Sequence, residues 1–362
     1  MKRAWFPPLL TALLSLIIIG IVLVGSEGDP LSLARIGTLY SEGDQNGSQG
    51  YDGQFVYYIA KNPRPDQVRG KLDVPAYRYQ RILLPLLAHV LSLNDTRAIP
   101  WMIPGINILA HVLGTWGVAL LLKHHDRNPI YALYYGLWVG FLLALRLDLP
   151  EPLAYSLIVL AVFEIVEGRH WLGWIFYALA IFAKEVVIIF AISHIIVYLT
   201  EKEWTKAVGL MSISFVPFGL FQVWLKLQFG QFGVGSGGAM ATHFEWVPFL
   251  GLLKIGGHSL VLLLVFLVTF GPFVLYPALW GLGRSIKRIC EGETSYELFA
   301  LGLNAAIFLF LPFSTYREPG GLLRFASGLI LALILYIRTY DLPPFWKYAP
   351  VIFVLNLFLL EV

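Results

Sequence analysis

The sequence predicts an all-α polytopic membrane protein of about eleven transmembrane helices, with interfacial helices in its first extracytoplasmic loop. Three observations predict it. Of 362 residues, 57% are hydrophobic and only 14% charged, and the mean hydropathy is +0.70, as expected of a chain whose main solvent is lipid. Apolar stretches long enough to cross, or nearly cross, a bilayer recur along the whole length. Basic residues collect in every second connection between them, as cytoplasmic loops do.

Taken in order, the apolar stretches fall at residues 5–25, 101–122, 130–147, 150–167, 171–183, 186–200, 207–226, 258–281, 296–313, 321–337 and 348–361. The first follows Lys2 and Arg3. It is too long for the apolar region of a signal peptide and no Ala-x-Ala-like site follows it, so it reads as a retained span with a cytoplasmic N-terminus. Lys123 with Arg127, Arg169, Lys202 with Lys206, then Arg284, Lys287 and Arg288, and finally Arg338 with Lys347 then mark the other cytoplasmic loops. The opposite face holds the long loop 26–100, the links 146–151 and 183–186, a Gly-rich loop at 228–257, and 314–321. The stretches 171–183 and 186–200 are short, which fits tilted or broken helices lining a cavity. The whole chain, 1–362, reads as a single transmembrane domain without internal repeats.

Several classes are set aside. A net charge of +3 with no run of Lys and Arg does not suit a nucleic-acid backbone. The single cysteine, Cys290, allows neither an internal disulfide nor a thiolate zinc cage. His124 and His125 are adjacent and project differently, and His111, His194, His243 and His258 are scattered, so no metal site is assigned. A site for Mg²⁺ or Mn²⁺ made of carboxylates and water needs little signature, and the composition is silent on it. Asn46-Gly47-Ser48 and Asn94-Asp95-Thr96 match the glycosylation pattern, which chance often produces.

The most specific segment is Gly50-Tyr51-Asp52-Gly53-Gln54-Phe55-Val56-Tyr57-Tyr58-Ile59-Ala60. Tyr51, Phe55, Tyr58 and Ile59 fall at helical spacing, so a helix starting near Asp52 would lie along the membrane surface with an aromatic face. Asp52 in its first turn would be favoured as the ionised carboxylate, available as a base, and Gly53 would leave room for substrate. The plainer reading makes Asp52 a helix cap. A second interfacial helix is expected over Pro75 to His89, with Arg78 and Arg81 on one face, suited to a lipid-linked phosphate. Interfacial Tyr and Arg are also common membrane anchors.

Topology gathers further charges on the Asp52 side: Arg146, Asp148 and Glu151, then Lys184 and Glu185, then Arg317, Glu318 and Arg324. Ionisable groups at the hydrocarbon boundary are costly and face a cavity or each other, so these sets, with Tyr51, Tyr57 and Tyr58, point to a polar chamber beside Asp52. The alternative is that Lys184–Glu185 and Arg317–Glu318 neutralise one another in loops.

With the segment Tyr-Arg-Tyr-Gln-Arg-Ile-Leu-Leu-Pro-Leu-Leu-Ala at 77–88 following the Tyr51-Asp52 motif, the chain resembles the GT-C superfamily of integral membrane glycosyltransferases, and most the bacterial relatives of the GPI mannosyltransferases. Leu149-Pro150-Glu151-Pro152-Leu153 and Ala183-Lys184-Glu185 are similar to that family's later Glu and Arg-Glu elements, though a single acidic residue stands in the loop motif where an adjacent pair is common. The resemblance covers about the first half of the chain. It implies a polyprenyl-phosphate sugar donor, an acceptor hydroxyl arriving from the outer side, Asp52 as base for an inverting attack, and Arg78, Arg81, Lys184, Arg317 or Arg324 around the phosphate. Intramembrane charges and short helices also fit a transporter or flippase for a polyprenyl-linked lipid or small solute, or a non-catalytic assembly subunit for which Asp52 is dispensable.

Overall fold

The computed structural model describes residues 4–341, 343 and 353–356. Every element among them is helical, with no strand. Five helices are long and apolar enough to cross a membrane: Phe6–Gly25, Ile99–His124, Trp204–Phe229, Leu260–Cys290 and Pro319–Thr339. A sixth span results if Pro129–Gly136 and Val139–Arg146, bent by 47° at their junction, are counted as one. The chain is a helical membrane protein. Shorter apolar helices, His170–Ala183, Glu185–Thr200 and Tyr296–Phe310, pack among the long ones, so the expected count of about eleven is not reached by full-length helices among the described residues. The expected stretch 348–361 lies outside the described residues except for 353–356.

Helix boundaries follow the backbone chemistry. Leu260–Cys290 extends well past the expected 281 and carries a π-turn at Gly271–Leu275, where Pro272 removes a backbone donor. Its Leu260–Phe270 part turns apolar side chains such as Val268 outward, as a lipid-facing helix does. By contrast, Ser327–Thr339 is buried from Ser327 to Arg338 and forms the centre of the bundle. Trp138, at the break of the bent pair, donates from Nε1 to Leu323 O and Ser327 Oγ, both at 3.1 Å, and so ties that break to the start of the central helix.

The first long loop is more deeply packed than its sequence implies. Gly53–Lys61 is a helix, and seven of its nine residues are buried, with Leu83–Leu91 and Ile99–His124 packed against it. The reason is visible in its composition: Gln54, Phe55, Tyr57, Tyr58, Ile59 and Ala60 cover nearly the whole circumference with groups that pack. Gly53 serves that packing. A Cβ there would meet Leu147 O at 2.2 Å, so the glycine admits a neighbouring backbone and not a substrate. The expected Pro75–His89 helix is two helices, Pro75–Tyr79 and Leu83–Leu91. Pro85 has no N–H to give Arg81, and the chain restarts at Leu83, which puts the proline in the first turn where helical donors are unpaired anyway. The Gly-rich loop is irregular only to Phe249, after which Leu250–His258 is helical.

Candidate functional site

Asp52 is the residue immediately before Gly53–Lys61, yet its carboxylate makes no capping bond to that helix. It turns instead to Arg78, Oδ1 to Nη2 at 3.0 Å, and stays 34% exposed beside a guanidinium that is 10% exposed. Arg78 is held from behind by Asp73, which accepts from Nε through Oδ1 and from Nη2 through Oδ2, each at 2.7 Å. The guanidinium also lies over the Phe55 ring, 4.4 Å from its centroid. Burial pushes the Asp52 carboxyl up, but Arg78, Arg324 and Arg81 outweigh it and hold it below the ordinary carboxylate value. Asp73 is lowered in the same way, by Arg78 and by the Ala239 N–H against the burial that raises it. Asp52 is therefore ionised at neutral pH, partly open to solvent, and electrostatically committed to a cation.

Arg81 lies in the turn after Pro75–Tyr79, not on that helix, but reaches the same cleft. Its Nε and Nη2 donate to Glu185 Oε2 and Oε1 at 2.8 and 2.5 Å, a fork-to-fork pair, and Nη2 also donates to Tyr77 Oη at 2.7 Å. Lys184 has extended backbone and breaks the chain between helices. This sends consecutive residues to different partners: Lys184 Nζ donates to Glu151 Oε1 at 2.7 Å while Glu185 faces Arg81. They do not neutralise each other.

Glu151 is the buried junction of the site. Its Oε1 also accepts from Arg324 Nη1 at 3.2 Å, and Arg324 Nη2 donates to Tyr51 Oη at 2.9 Å. Tyr51 in turn donates to Glu318, which lies 3.4 Å from Arg324 Nη2. Three ion-paired clusters thus stand side by side, Asp52–Arg78–Asp73, Arg81–Glu185–Tyr77 and Lys184–Glu151–Arg324–Tyr51–Glu318, joined through the chain neighbours Tyr51–Asp52 and Lys184–Glu185 and by the Tyr77 ring between Arg78 and Arg81. They contain four cations, Arg78, Arg81, Lys184 and Arg324, against five carboxylates, Asp52, Asp73, Glu151, Glu185 and Glu318.

These clusters border a small open cleft lined by Asp52, Arg78, Arg81, Phe55, Val56, Ile59, Pro85, Leu149 and Pro150. Three charged groups stand together with an otherwise apolar wall. Asn107 Nδ2 donates to Leu149 O at 3.0 Å and fixes the wall formed by the 147–150 link.

Other residues expected in the chamber are placed elsewhere. Arg317 is exposed, with its guanidinium 5.8 Å from the Phe313 ring centroid, and reaches neither Glu318 nor the cleft. Tyr57 and Tyr58 are buried against each other and under Lys61 and Lys71, outside the cleft lining. Asp148 is buried with both carboxylate oxygens unpartnered, and one Arg146 nitrogen, Nη1, is likewise unpartnered. Neither lines the cleft. The residue that sequence reading missed is Asp73. Its signal was an acidic residue five before Arg78, next to the Val74-Pro75 helix start.

Among the described residues, no group of three or more His, Cys, Asp or Glu is arranged to hold a metal ion. No protein family, curated protein or solved structure matches the chain.

Proposed function

We propose that this protein is a GT-C-like glycosyltransferase that moves a sugar from a polyprenyl-phosphate donor to an acceptor hydroxyl on the extracytoplasmic face. The observation that carries this reading is the cleft itself: a partly exposed carboxylate and two arginines at one end of an apolar wall. A lipid-linked phosphate is amphiphilic in the same sense, with an anionic head on an apolar chain. The basic loops at the opposite end of the sequence-predicted spans support an N-terminus in the cytoplasm and the Asp52 end outside, with the shorter helices completing about eleven spans.

In this reading Asp52 accepts the proton of the acceptor hydroxyl as its oxygen bonds to the anomeric carbon. The bond from that carbon to the phosphate oxygen breaks, the electron pair leaves with the polyprenyl phosphate, and the sugar carbon inverts. Arg78 and Arg81 stabilise the charge developing on the leaving oxygen. Arg324, Lys184 and Glu151 act from behind, fixing the field around Asp52. The acceptor is a glycan, lipid or protein hydroxyl, and membrane lipid surrounds the site.

Thermal stabilisation of the purified protein in detergent tests the reading, with undecaprenyl or dolichyl phosphate compared with a plain phospholipid. The expected result is selective stabilisation by the polyprenyl phosphates, lost in Arg78→Ala. Absence of any selective stabilisation overturns it and moves the transporter reading ahead, with solute uptake as the next assay.

A further inference from the structure

The segment after Trp204–Phe229 crosses the site as a strap. Gly233 and Val234 donate their N–H groups to Gln222 Oε1 at 2.9 and 3.0 Å. Gln222 Nε2 in turn lies 3.4 Å from Gln80 Oε1, beside Arg81. Ala239 N–H then donates to Asp73 Oδ2 at 3.2 Å, the oxygen that also receives Arg78 Nη2. Between them the backbone runs so close that a Cβ on Gly238 would sit 3.1 Å from Arg78 Nη2. Farther on, Thr242 and Ser314 exchange hydrogen bonds, Thr242 N to Ser314 Oγ at 3.0 Å and Ser314 N to Thr242 Oγ1 at 3.1 Å. Ser314 belongs to the short helix Phe313–Arg317, which leads to Glu318 and Arg324. The strap therefore links the Arg78 side of the network to the Arg324 side without lining the cleft.

Asp73 is the point where strap and network meet. Arg78 Nη2 serves two carboxylates, Asp73 and Asp52, while Nε is given wholly to Asp73 and no hydrogen bond among the described residues uses Nη1. An anion can thus replace Asp52 at Nη2, and engage Nη1, while Arg78 stays anchored by Asp73. We propose that Asp73 is the positioning residue of the site: it aims Arg78 at the cleft and seats the strap, so that anion capture by Arg78 and closure of the strap are coupled. The coupling to a phosphate rests on the reading of the cleft given above, but the seating of the strap does not.

Hydrogen exchange of the 230–245 peptide, measured on the full-length protein in detergent with and without undecaprenyl phosphate, separates the two. Without ligand, Asp73→Ala is expected to speed exchange about tenfold, the factor one charge-assisted hydrogen bond supports. The increase extends to Gly233 and Val234, whose own acceptor Gln222 is untouched. Asp73→Asn retains an acceptor for Ala239, so its strap stays protected while the undecaprenyl phosphate concentration for half-maximal stabilisation rises about tenfold through the weaker hold on Arg78. In the wild type the ligand slows strap exchange, and in Asp73→Ala it does not. Faster exchange at Ala239 alone, or ligand stabilisation with an unmoved strap, overturns the coupling. If no polyprenyl phosphate stabilises the wild type, the functional reading fails while the ligand-free comparison still decides whether Asp73 seats the strap.

Discussion

The central helix Ser327–Thr339 has a buried arginine near each end, and the two are used differently. Arg324, just before it, shares its nitrogens among Glu151, Tyr51 and Glu318, elements far apart in the chain. Arg338, roughly 20 Å along the axis at 1.5 Å per residue, makes one side-chain ion pair among the described residues, with Glu297. Near that pair His194 stacks on Tyr296 with centroids 3.8 Å apart and meets the Tyr177 hydroxyl at 2.5 Å. None of these residues lines the cleft, and Arg338 offers only Nη2 to Glu297. The lesson is that burial of charge alone does not mark a site. What distinguishes the Asp52 end is that cations are shared among several carboxylates and one of those carboxylates is open to a cleft, so partners can be exchanged without leaving a charge stranded.

The sharpest way to break this comparison is Asp52→Asn. Transfer from a polyprenyl-phosphate sugar should fall by about 10²–10⁴-fold, the usual share of a general base, while thermal stability falls only by the contribution of the Asp52–Arg78 pair, because Arg78 keeps both bonds to Asp73. Wild-type transfer rates in this variant would remove Asp52 from the chemistry.

Next in size is Glu151→Gln. It strips the shared partner from two buried cations, Lys184 and Arg324. A loss of about 3–5 kcal/mol is expected on breaking such a pair, read as a lower midpoint of thermal unfolding. An unchanged midpoint would mean that the network does not depend on its junction.

At the opposite end, Glu297→Gln should destabilise through the stranded Arg338, and adding Arg338→Met should recover most of the loss, because an isolated buried pair is replaceable by apolar packing. Transfer should be unaffected in the double variant. Failure of the second change to rescue would place Arg338 in a larger network, like Arg324.

The smallest effect is on pH. Asp52 and Asp73 are both held below their ordinary value of 3.8 in the folded protein. Their stabilising contribution is therefore complete above that value and is lost as pH falls through the lower folded values. Below about pH 4 the wild type should lose stability more steeply than Asp52→Asn. Parallel curves would mean that the Asp52–Arg78 contact contributes nothing to folding.

Much of the site was legible in the chain. The Tyr51-Asp52 segment, Arg78, Arg81, Glu151, Glu185 and Arg324 were singled out by residue type at a membrane-boundary position, and the fold gathers them into adjoining ion-paired clusters. Arg317 illustrates why the rest was not. It lies seven residues before Arg324, a spacing that keeps both on one face of a continuous helix. Glu318, however, is extended with ψ near 102°, and resets the phase between Phe313–Arg317 and Pro319–Phe325. Asp73 escaped notice because its importance lies in where Arg78 and Ala239 arrive, 5 and 166 residues away.

The sequence by itself determined that this chain folds as helices within lipid, because a composition this apolar must satisfy its backbone internally. It also fixed which few charged residues stand at the ends of apolar stretches. Only the tertiary structure decided which of them meet. Pairing depends on the direction of each side chain, and that direction is set by helix breaks at Lys184, Glu318 and the 80–82 turn, where a small change in backbone angle turns neighbouring residues toward different partners.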